Sequence, residues 1–290
     1  MSKIFVKIFY FFFINLLKIL PRSFAIEIAQ VFSIVYYFLA RKSAAIVRDN
    51  LRAIMGVKFK EASVRRLFKN FAFYLVDFMS IRSKSKEFFK YYMKIEGEEV
   101  LEESFKFSPR GILGLGMHLG NWEFTGGYLS YLGYSASAVA LKHSIGYVDR
   151  FFKGQRKSFG VEELPFEDSF NICIRKLKEG KILGLLSDRD FTGNSIKGRL
   201  FKNDYYFPKA PFLISLRAKV PLLMIVTVRD GLGYKTIIKG PFIYNDFTLE
   251  EMHRIASAVN RTIEEYLESY YEQWFFFQRF WEKPRNVVIL

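Results

Sequence analysis

The chain has 290 residues, of which 50% are hydrophobic and 18% aromatic, and it carries a formal net charge of +15. This composition excludes a disordered chain, and the single Cys173 excludes an intramolecular disulfide and a cysteine zinc cluster. The length allows one large core or two small ones. Most of the excess charge lies near the start, because residues 1–95 hold 18 Lys and Arg against 5 Asp and Glu. This concentration of positive charge predicts that a binding partner contacts the N-terminal third of the chain.

The first segment, residues 4–20, is almost continuously apolar, and Lys7, Asn15 and Lys18 fall on one stripe of a helix. It is short for a spanning helix, which needs ~20 apolar residues, and positive charge stands at both of its ends. We interpret residues 1–22 as a membrane anchor whose lysines reach back to the interface, and true spanning stays open. A signal peptide fits less well because no small-residue cleavage site follows. A buried core helix is the remaining alternative.

Three further helices are predicted over residues 24–40, 42–55 and 62–80. The first of these is apolar nearly all round, so it is either buried or partly in lipid. Taken singly, the basic residues of this region are ordinary solvated surface. Taken together with the apolar first segment, they predict electrostatic contact with an anionic leaflet. The residues concerned are Arg41, Lys42, Arg48, Arg52, Lys58, Lys60, Arg65, Arg66 and Lys69. We therefore assign residues 23–95 to a basic helical region.

After Met93 short apolar runs alternate with helical patterns, which predicts an α/β core over residues 96–290. Predicted strands cover residues 111–117, 135–141, 181–187, 222–228 and 234–239. Predicted helices cover residues 121–132, 147–159, 169–178, 209–217 and 249–273. The sequence has no internal repeat, and no glycine-rich nucleotide loop with the required spacing.

One histidine and one carboxylate stand where the first of these strands turns into a helix. His118 follows the buried run 111–117, and Glu123 comes five positions later, after the candidate helix N-cap Asn121. A turn between them can fold the carboxylate back onto one imidazole nitrogen. Such a carboxylate fixes the tautomer and stabilises the imidazolium that forms when the histidine takes a proton. The pattern predicts a general base; the alternative is a buried structural histidine.

At these residues the chain resembles a known family. The HLGNWE of residues 118–123 resembles the H-x-x-x-x-E signature of the late acyltransferases of lipid A biosynthesis, within the wider glycerolipid and lysophospholipid acyltransferase superfamily. The resemblance continues at residues 48–51 (RDNL), 184–190 (GLLSDRD) and 272–279 (EQWFFFQR). It implies an α/β fold with a mixed sheet flanked by helices, an N-terminal membrane-associating helical region, and a site that faces the cytoplasm at the inner membrane.

The resemblance also suggests further site residues. Arg156 is expected to stabilise oxyanion charge or hold an acceptor phosphate, because a guanidinium donates a planar fork of hydrogen bonds. Lys142 stands where the family usually has arginine, and Arg189 stands in a D-Q-D motif where it has glutamine. Asp188, with Asp190, is expected to orient Arg156 or the acceptor's hydroxyls. The remaining candidates are Asn121 for substrate binding and, for the acyl pocket, Trp122, Phe124, Phe201, Tyr205 and Phe207.

These parts fit acyl transfer from an activated thioester, which requires a base, oxyanion donors and alignment of two amphipathic substrates. No serine or cysteine nucleophile sits in an elbow motif, so direct transfer is favoured over an acyl-enzyme. No metal and no cofactor are expected; the donor is acyl carrier protein or coenzyme A thioester. His143 is interpreted as incidental because no carboxylate stands at a useful spacing.

The sequence leaves three alternatives. The acceptor is expected to be a glycolipid such as a lipid A precursor, although a phosphatidylinositol mannoside or a lysophospholipid fits the same residues. A non-catalytic peripheral membrane protein would use the basic helices for docking but gives no reason for His118, Glu123, Arg156 and Asp188. Nucleic-acid binding would account for the charge but not for the apolar first segment.

Overall fold

A seven-stranded mixed sheet organises the protein. The computed structural model describes residues 15–17, 19–80, 85–167, 169–190, 192–246 and 248–282, so the predicted anchor over residues 4–20 lies mostly outside the described residues. Within them the helices are α1 (Arg22–Leu39), α2 (Arg41–Met55), α3 (Glu61–Ser80), α4 (Ser85–Tyr92), α5 (Glu98–Phe107), α6 (Trp122–Tyr131), α7 (Gly146–Ser158), α8 (Ser169–Lys178), α9 (Ala210–Ala218) and α10 (Leu249–Tyr270).

The strands are β1 (Met93–Glu96), β2 (Ile112–Gly116), β3 (Ala136–Ala140), β4 (Val161–Pro165), β5 (Ile182–Leu186), β6 (Ser195–Leu200), β7 (Asn203–Pro208), β8 (Leu222–Asp230) and β9 (Gly233–Phe242). The large sheet has the order β1-β9-β8-β2-β5-β3-β4, and β6 and β7 form a separate hairpin. All neighbours in the large sheet are parallel except β8 and β9. The predicted α/β class with a helix-flanked mixed sheet is confirmed.

The two faces of the sheet differ in the size of their side chains. One face packs against α9 and α10 through large residues such as Leu113, Leu183 and Met224. On the other face, beneath α6, Gly114 of β2 lies level with Gly184 of β5, which lies level with Ala138 of β3. Because side chains alternate along a strand, the same sequence supplies a filled core on one side and a shallow furrow on the other.

The N-terminal helices α1 and α3 are joined by an ion pair whose carboxylate is buried. Arg22, at the start of α1, donates from Nε and Nη2 to the two carboxylate oxygens of Asp77 on α3 at 2.6 and 2.8 Å. The guanidinium also lies 5.2 Å from the ring centroid of Phe73. Burial raises the pKa of Asp77 although Arg22 opposes the shift. The pair therefore holds α1 against α3 at its first residue.

Beyond this contact α1 leaves much apolar surface uncovered. Phe24, Val31, Phe32, Val35 and Phe38 are exposed, and 67% of Phe32 is accessible. Among the described residues α1 is the helix long and apolar enough to cross a membrane by length and composition, and 22% of it is buried in the protein. A surface of this kind on a folded protein indicates an interaction site.

Four strands and two helices of the structure were not predicted from the sequence. The short edge strand β1 and the strand β4, with sequence VEELP, lack the long apolar run that marked the other strands. No element was predicted between the strand over 181–187 and the helix over 209–217, where the structure has the β6–β7 hairpin. The helices α4 and α5 were not predicted. The hairpin packs its apolar side, including Tyr205 and Phe207, into the core beneath the α10 face of the sheet.

Candidate functional site

His118 and Asp188 meet at the carboxyl edge of the sheet. His118 follows β2 and Asp188 follows β5, and these strands are parallel neighbours, so their carboxyl ends lie side by side. Nδ1 of His118 lies 2.8 Å from Oδ1 of Asp188, and the backbone N–H of His118 donates to Oδ2 at 2.9 Å. Both residues were predicted at strand ends, but their pairing was not predicted.

The Asp188 carboxylate stays charged although it is 0% exposed. Burial on its own raises the pKa of such a carboxyl, but the neighbouring His118 and the hydrogen bonds it receives lower the pKa of Asp188 below its ordinary value. An anionic Asp188 places the imidazole proton on Nδ1. Nε2 of His118 then carries the lone pair, which is the arrangement that a general base needs.

The expected contact between Glu123 and the His118 ring is corrected by the structure. Glu123 lies in the first turn of α6, and its two carboxylate oxygens accept from Nη2 and Nε of Arg156 on α7 at 2.7 and 2.9 Å. Nη1 of Arg156 donates to Glu163 on β4 at 2.6 Å. The helix carries the Glu123 side chain towards α7, whereas the strand pairing brings Asp188 to the ring.

Arg156 therefore joins three elements around the site. Burial on its own lowers the pKa of its guanidinium, but Glu123 and Glu163 raise that pKa above the ordinary value, so the group stays charged. Three of the five N–H donors of an arginine are used in this bridge. The expectation that Asp188 orients Arg156 is wrong, since the carboxylates that hold the guanidinium come from α6 and β4.

A cavity of about 340 Å³ extends from His118 along the furrow between α6 and the sheet. Its wall is mostly apolar and is built from small residues on three strands. They are Gly114 and Gly116 of β2, Ala136, Ala138 and Ala140 of β3, and Gly184 of β5. Leu129 and Ile182 line the end that lies near the start of the strands. The volume and character suit a small apolar ligand or one alkyl chain.

Trp122 is the one residue of the predicted aromatic acyl pocket that lines this cavity. Its ring lies edge-on to the His118 ring with the centroids 5.1 Å apart. Phe124 is two positions along α6 and packs away from the cavity, against Phe88 and Phe89. Successive residues of a helix are rotated by about 100°, so the side chains of Trp122 and Phe124 leave α6 on nearly opposite sides.

Phe201, Tyr205 and Phe207 are also placed elsewhere. They belong to the β6–β7 hairpin and pack in or against the core on the α10 face of the sheet, outside the cavity lining. The prediction of a Phe201 and Phe207 wall assumed no regular structure for the segment that carries them. Pairing into a hairpin with its apolar side inward holds them away from the site.

The four remaining polar candidates lie in different surroundings. Lys142 is exposed after β3 and lies outside the cavity lining. Asn121 is buried and caps α6, where its Oδ1 accepts from the backbone N–H of Phe124 at 3.3 Å.

His143, interpreted from sequence as incidental, does line the cavity beside Phe152, and burial followed by the charge of Arg156 lowers its pKa. Asp190 closes a turn by accepting from the backbone and hydroxyl of Thr192, both at 2.8 Å.

Trp274 is the site residue that sequence reasoning missed. Its indole Nε1–H donates to Oδ2 of Asp188 at 2.8 Å, and the residue is 1% exposed. The signal was present, since the EQWFFFQR of residues 272–279 carried part of the family resemblance. Nothing in the sequence connected that segment to residue 188.

Comparison with known proteins agrees with the motifs. A family model described as bacterial lipid A biosynthesis acyltransferase matches residues 1–283. No curated protein matches the chain. The match covers nearly the whole chain, including the N-terminal helices and the segment that carries Trp274.

The tautomer of His118 tests the geometry directly, because the chain has only three histidines and ¹⁵N-histidine NMR can resolve them. We expect a protonated Nδ1 and a bare Nε2. Asp188→Asn should move the ring proton from Nδ1 to Nε2. Two N–H donors face the position of Oδ2, so the asparagine amide oxygen must lie there and its NH₂ group must face Nδ1, which then has to accept a hydrogen bond. Glu123→Gln should leave the tautomer unchanged. If Glu123→Gln changes the tautomer and Asp188→Asn does not, the assigned pairing is contradicted.

Proposed function

The chain belongs to the bacterial lipid A biosynthesis acyltransferase family and is an acyltransferase acting on a glycolipid, and from this premise we propose the finer reaction. It moves a fatty acyl chain from an acyl carrier protein thioester to a hydroxyl of a lipid A precursor. His118 acts as the general base. The observation that carries the proposal is that Nδ1 of His118 lies 2.8 Å from the Asp188 carboxylate while the ring stands at one end of an apolar cavity.

The chemistry follows from that orientation. Nε2 of His118 removes the proton of the acceptor hydroxyl as its oxygen attacks the thioester carbonyl carbon. Asp188 stabilises the imidazolium that results. The tetrahedral intermediate collapses with loss of the thiolate, which takes the proton from His118. An ester and a free thiol leave, and no acyl-enzyme forms.

The furrow beneath α6 is the proposed site of the acyl chain. From Gly116 to the level of Ile182 the sheet spans four residues, or ~13 Å. An extended alkyl chain advances about 1.3 Å per carbon, so the furrow holds roughly ten methylenes. The absence of side chains at Gly114 and Gly184 leaves room for it, and the apolar wall replaces water around it.

Glu123 and Arg156 have a supporting part in this proposal. Their bidentate pair fixes the first turn of α6 to α7, and Glu163 extends the bridge to β4. Both Trp122 and Phe152, which line the cavity, are carried by the two helices so joined. The bridge keeps the cavity walls at a fixed separation while the positive charge of Arg156 is compensated by two carboxylates.

The donor is proposed to be a carrier protein because α7 offers a basic face beside the cavity. Arg150, Lys153 and Lys157 are exposed on it at helical spacing, while Phe152 and Arg156 of the same helix reach the cavity. Acyl carrier proteins are acidic, so this face suits their approach. Lys153 also forms ion pairs with Asp149 and Glu163.

The lipid acceptor requires the protein to work at a membrane surface. We propose that the exposed apolar face of α1 enters the headgroup region of the inner membrane, with the site on the cytoplasmic side. Exposed cations on α2 and the turn that follows it suit an anionic leaflet. They are Arg41, Lys42, Arg52, Lys58 and Lys60. The apolar segment over residues 4–20, expected from sequence to be an anchor, lies mostly outside the described residues.

The decisive assay incubates purified protein with acyl carrier protein and coenzyme A thioesters against a lipid A precursor, a phosphatidylinositol mannoside and a lysophospholipid, with mass analysis of the products. His118→Ala should lower turnover about 10³-fold or more, and Asp188→Asn should lower it by roughly 10² to 10⁴. The control is His253→Ala, on the exposed side of α10, which should retain turnover. Near-normal transfer by His118→Ala contradicts the mechanism.

Acyl-chain preference provides a second expected outcome. Gly184→Val adds methyl groups to the furrow, so kcat/KM for the longest donor accepted should fall at least about tenfold and the preference should move to shorter chains. Phe207→Leu is the contrasting variant, because Phe207 is buried outside the cavity. This substitution should lower the stability by only about 1 kcal/mol and leave the length preference unchanged. The furrow is misassigned if Phe207→Leu changes the length profile and Gly184→Val leaves it unaltered.

Membrane association can be assigned to α1 by paired substitutions. Phe32→Asp with Val35→Asp places two charges on the exposed apolar face and should reduce co-sedimentation with anionic vesicles by about tenfold or more. The control is Leu249→Asp, an exposed leucine at the start of α10 that should not affect binding. Unchanged binding of the double variant would assign the membrane contact to residues outside α1.

A further inference from the structure

The segment after α10 is fixed to the site by every residue of its Glu-Gln-Trp sequence. Glu272 accepts from Nε of Arg66 on α3 at 2.7 Å. The side chain of Gln273 accepts from the backbone N–H of Arg229 at 2.7 Å and donates to its carbonyl at 3.2 Å. Each contact joins the segment to a different element, so its position is determined independently of Asp188.

The same segment holds the backbone on which His118 lies. The N–H of Phe275 donates to the carbonyl of His118 at 2.8 Å, and the N–H of Gly120 donates to the carbonyl of Gln273 at 2.9 Å. Leu119 and Trp274 form an antiparallel bridge between these two hydrogen bonds. The histidine loop and the Trp274 segment are therefore one short two-stranded unit.

Within this unit Trp274 donates to the carboxylate that orients the base. Oδ2 of Asp188 receives the indole N–H at 2.8 Å and the His118 backbone N–H at 2.9 Å, which leaves Oδ1 for the imidazole. The indole stacks on Phe276 with centroids 4.8 Å apart and is 1% exposed. Trp274 is outside the cavity lining and does not touch the space assigned to substrate.

We propose that Trp274 is a positioning residue of the acyltransferase reaction, which fixes the Asp188 carboxylate and sets how strongly it holds the His118 proton. The inference rests on the proposed role of His118 as base. The indole N–H shares the negative charge of Oδ2, so Asp188 stabilises the imidazolium less than an unshared carboxylate would. The base then returns its proton more readily to the leaving thiolate.

Three titratable groups of the described residues also lie around Asp188. Arg189 follows it in the chain, and burial lowers the pKa of that guanidinium although Asp188 raises it. The Tyr205 hydroxyl on β7 donates at 2.8 Å to the backbone carbonyl of Asp188, and burial, followed by the Asp188 charge, raises its pKa well above the ordinary value. His118 is the third titratable neighbour.

The test is Trp274→Phe, which removes the N–H donor and retains an aromatic ring. The unshared carboxylate stabilises the imidazolium more strongly, so the acid-side midpoint of the kcat/KM profile should move to higher pH by roughly 0.5–1 unit. We expect kcat to fall about tenfold with little change in KM, since the contact orients the base and not the substrate. Placing 3-benzothienylalanine at position 274 preserves the indole shape but has sulfur in place of N–H, so it gives the same shift with less risk to folding.

Phe276→Leu is the packing control, because it loosens the stack on the indole and leaves the N–H in place. It should lower thermal stability without moving the acid-side midpoint. The proposal is overturned if the midpoint stays fixed in the benzothienylalanine protein, or if Phe276→Leu moves it equally. Parallel assay of His118→Ala separates the two levels: full turnover there refutes the proposed base, whereas an inactive His118→Ala with an unmoved midpoint refutes only the role of Trp274.

Discussion

The buried carboxylate of Asp188 is the interaction on which the site depends. A carboxylate with 0% exposure has lost its hydration, and its charge is tolerable only where hydrogen-bond donors replace the water. Here the donors are the His118 ring, the His118 backbone and the Trp274 indole. They come from the loop after β2 and the segment after α10. The carboxylate can therefore stay charged only when the ends of β2 and β5 and the segment after α10 have come together. The general base accordingly forms only in the complete fold.

A second constraint is the division of large and small side chains between the two faces of one sheet. Leu113 and Leu183 fill the α10 face, whereas Gly114 and Gly184, the next residue of each strand, leave the α6 face open. A furrow bordered by the first turn of α6 then starts at His118 and runs along the strands. The position of the cavity and that of the base are thus set by the same strand, β2, and do not need to be adjusted separately.

The sequence predicted β2, β3, β5, β8 and β9 and the helices α6 to α10, because their hydrophobic residues follow the period of a strand or of a helix. It also predicted that His118 and Asp188 stand at strand ends. It did not pair them, because strand order is decided by packing between distant elements, and nothing local to residues 182–186 says that this strand lies beside β2. Glu123 was chosen as the partner since it is near in sequence. Trp274 was out of reach for the same reason, being 86 positions from Asp188.

The spacing of the HLGNWE motif has a physical reason even though Glu123 does not contact the ring. Leu119 bridges to Trp274, and Gly120 has φ +61 in a position where an added Cβ would overlap the carbonyl oxygen of Thr227. Asn121 then starts α6 by capping it. Glu123 consequently falls in the first helical turn, where the helix dipole favours an anion and where the Arg156 fork can reach it. The interval between histidine and glutamate thus measures the length of backbone needed to leave the sheet, pass the C-terminal segment and begin the helix that covers the furrow.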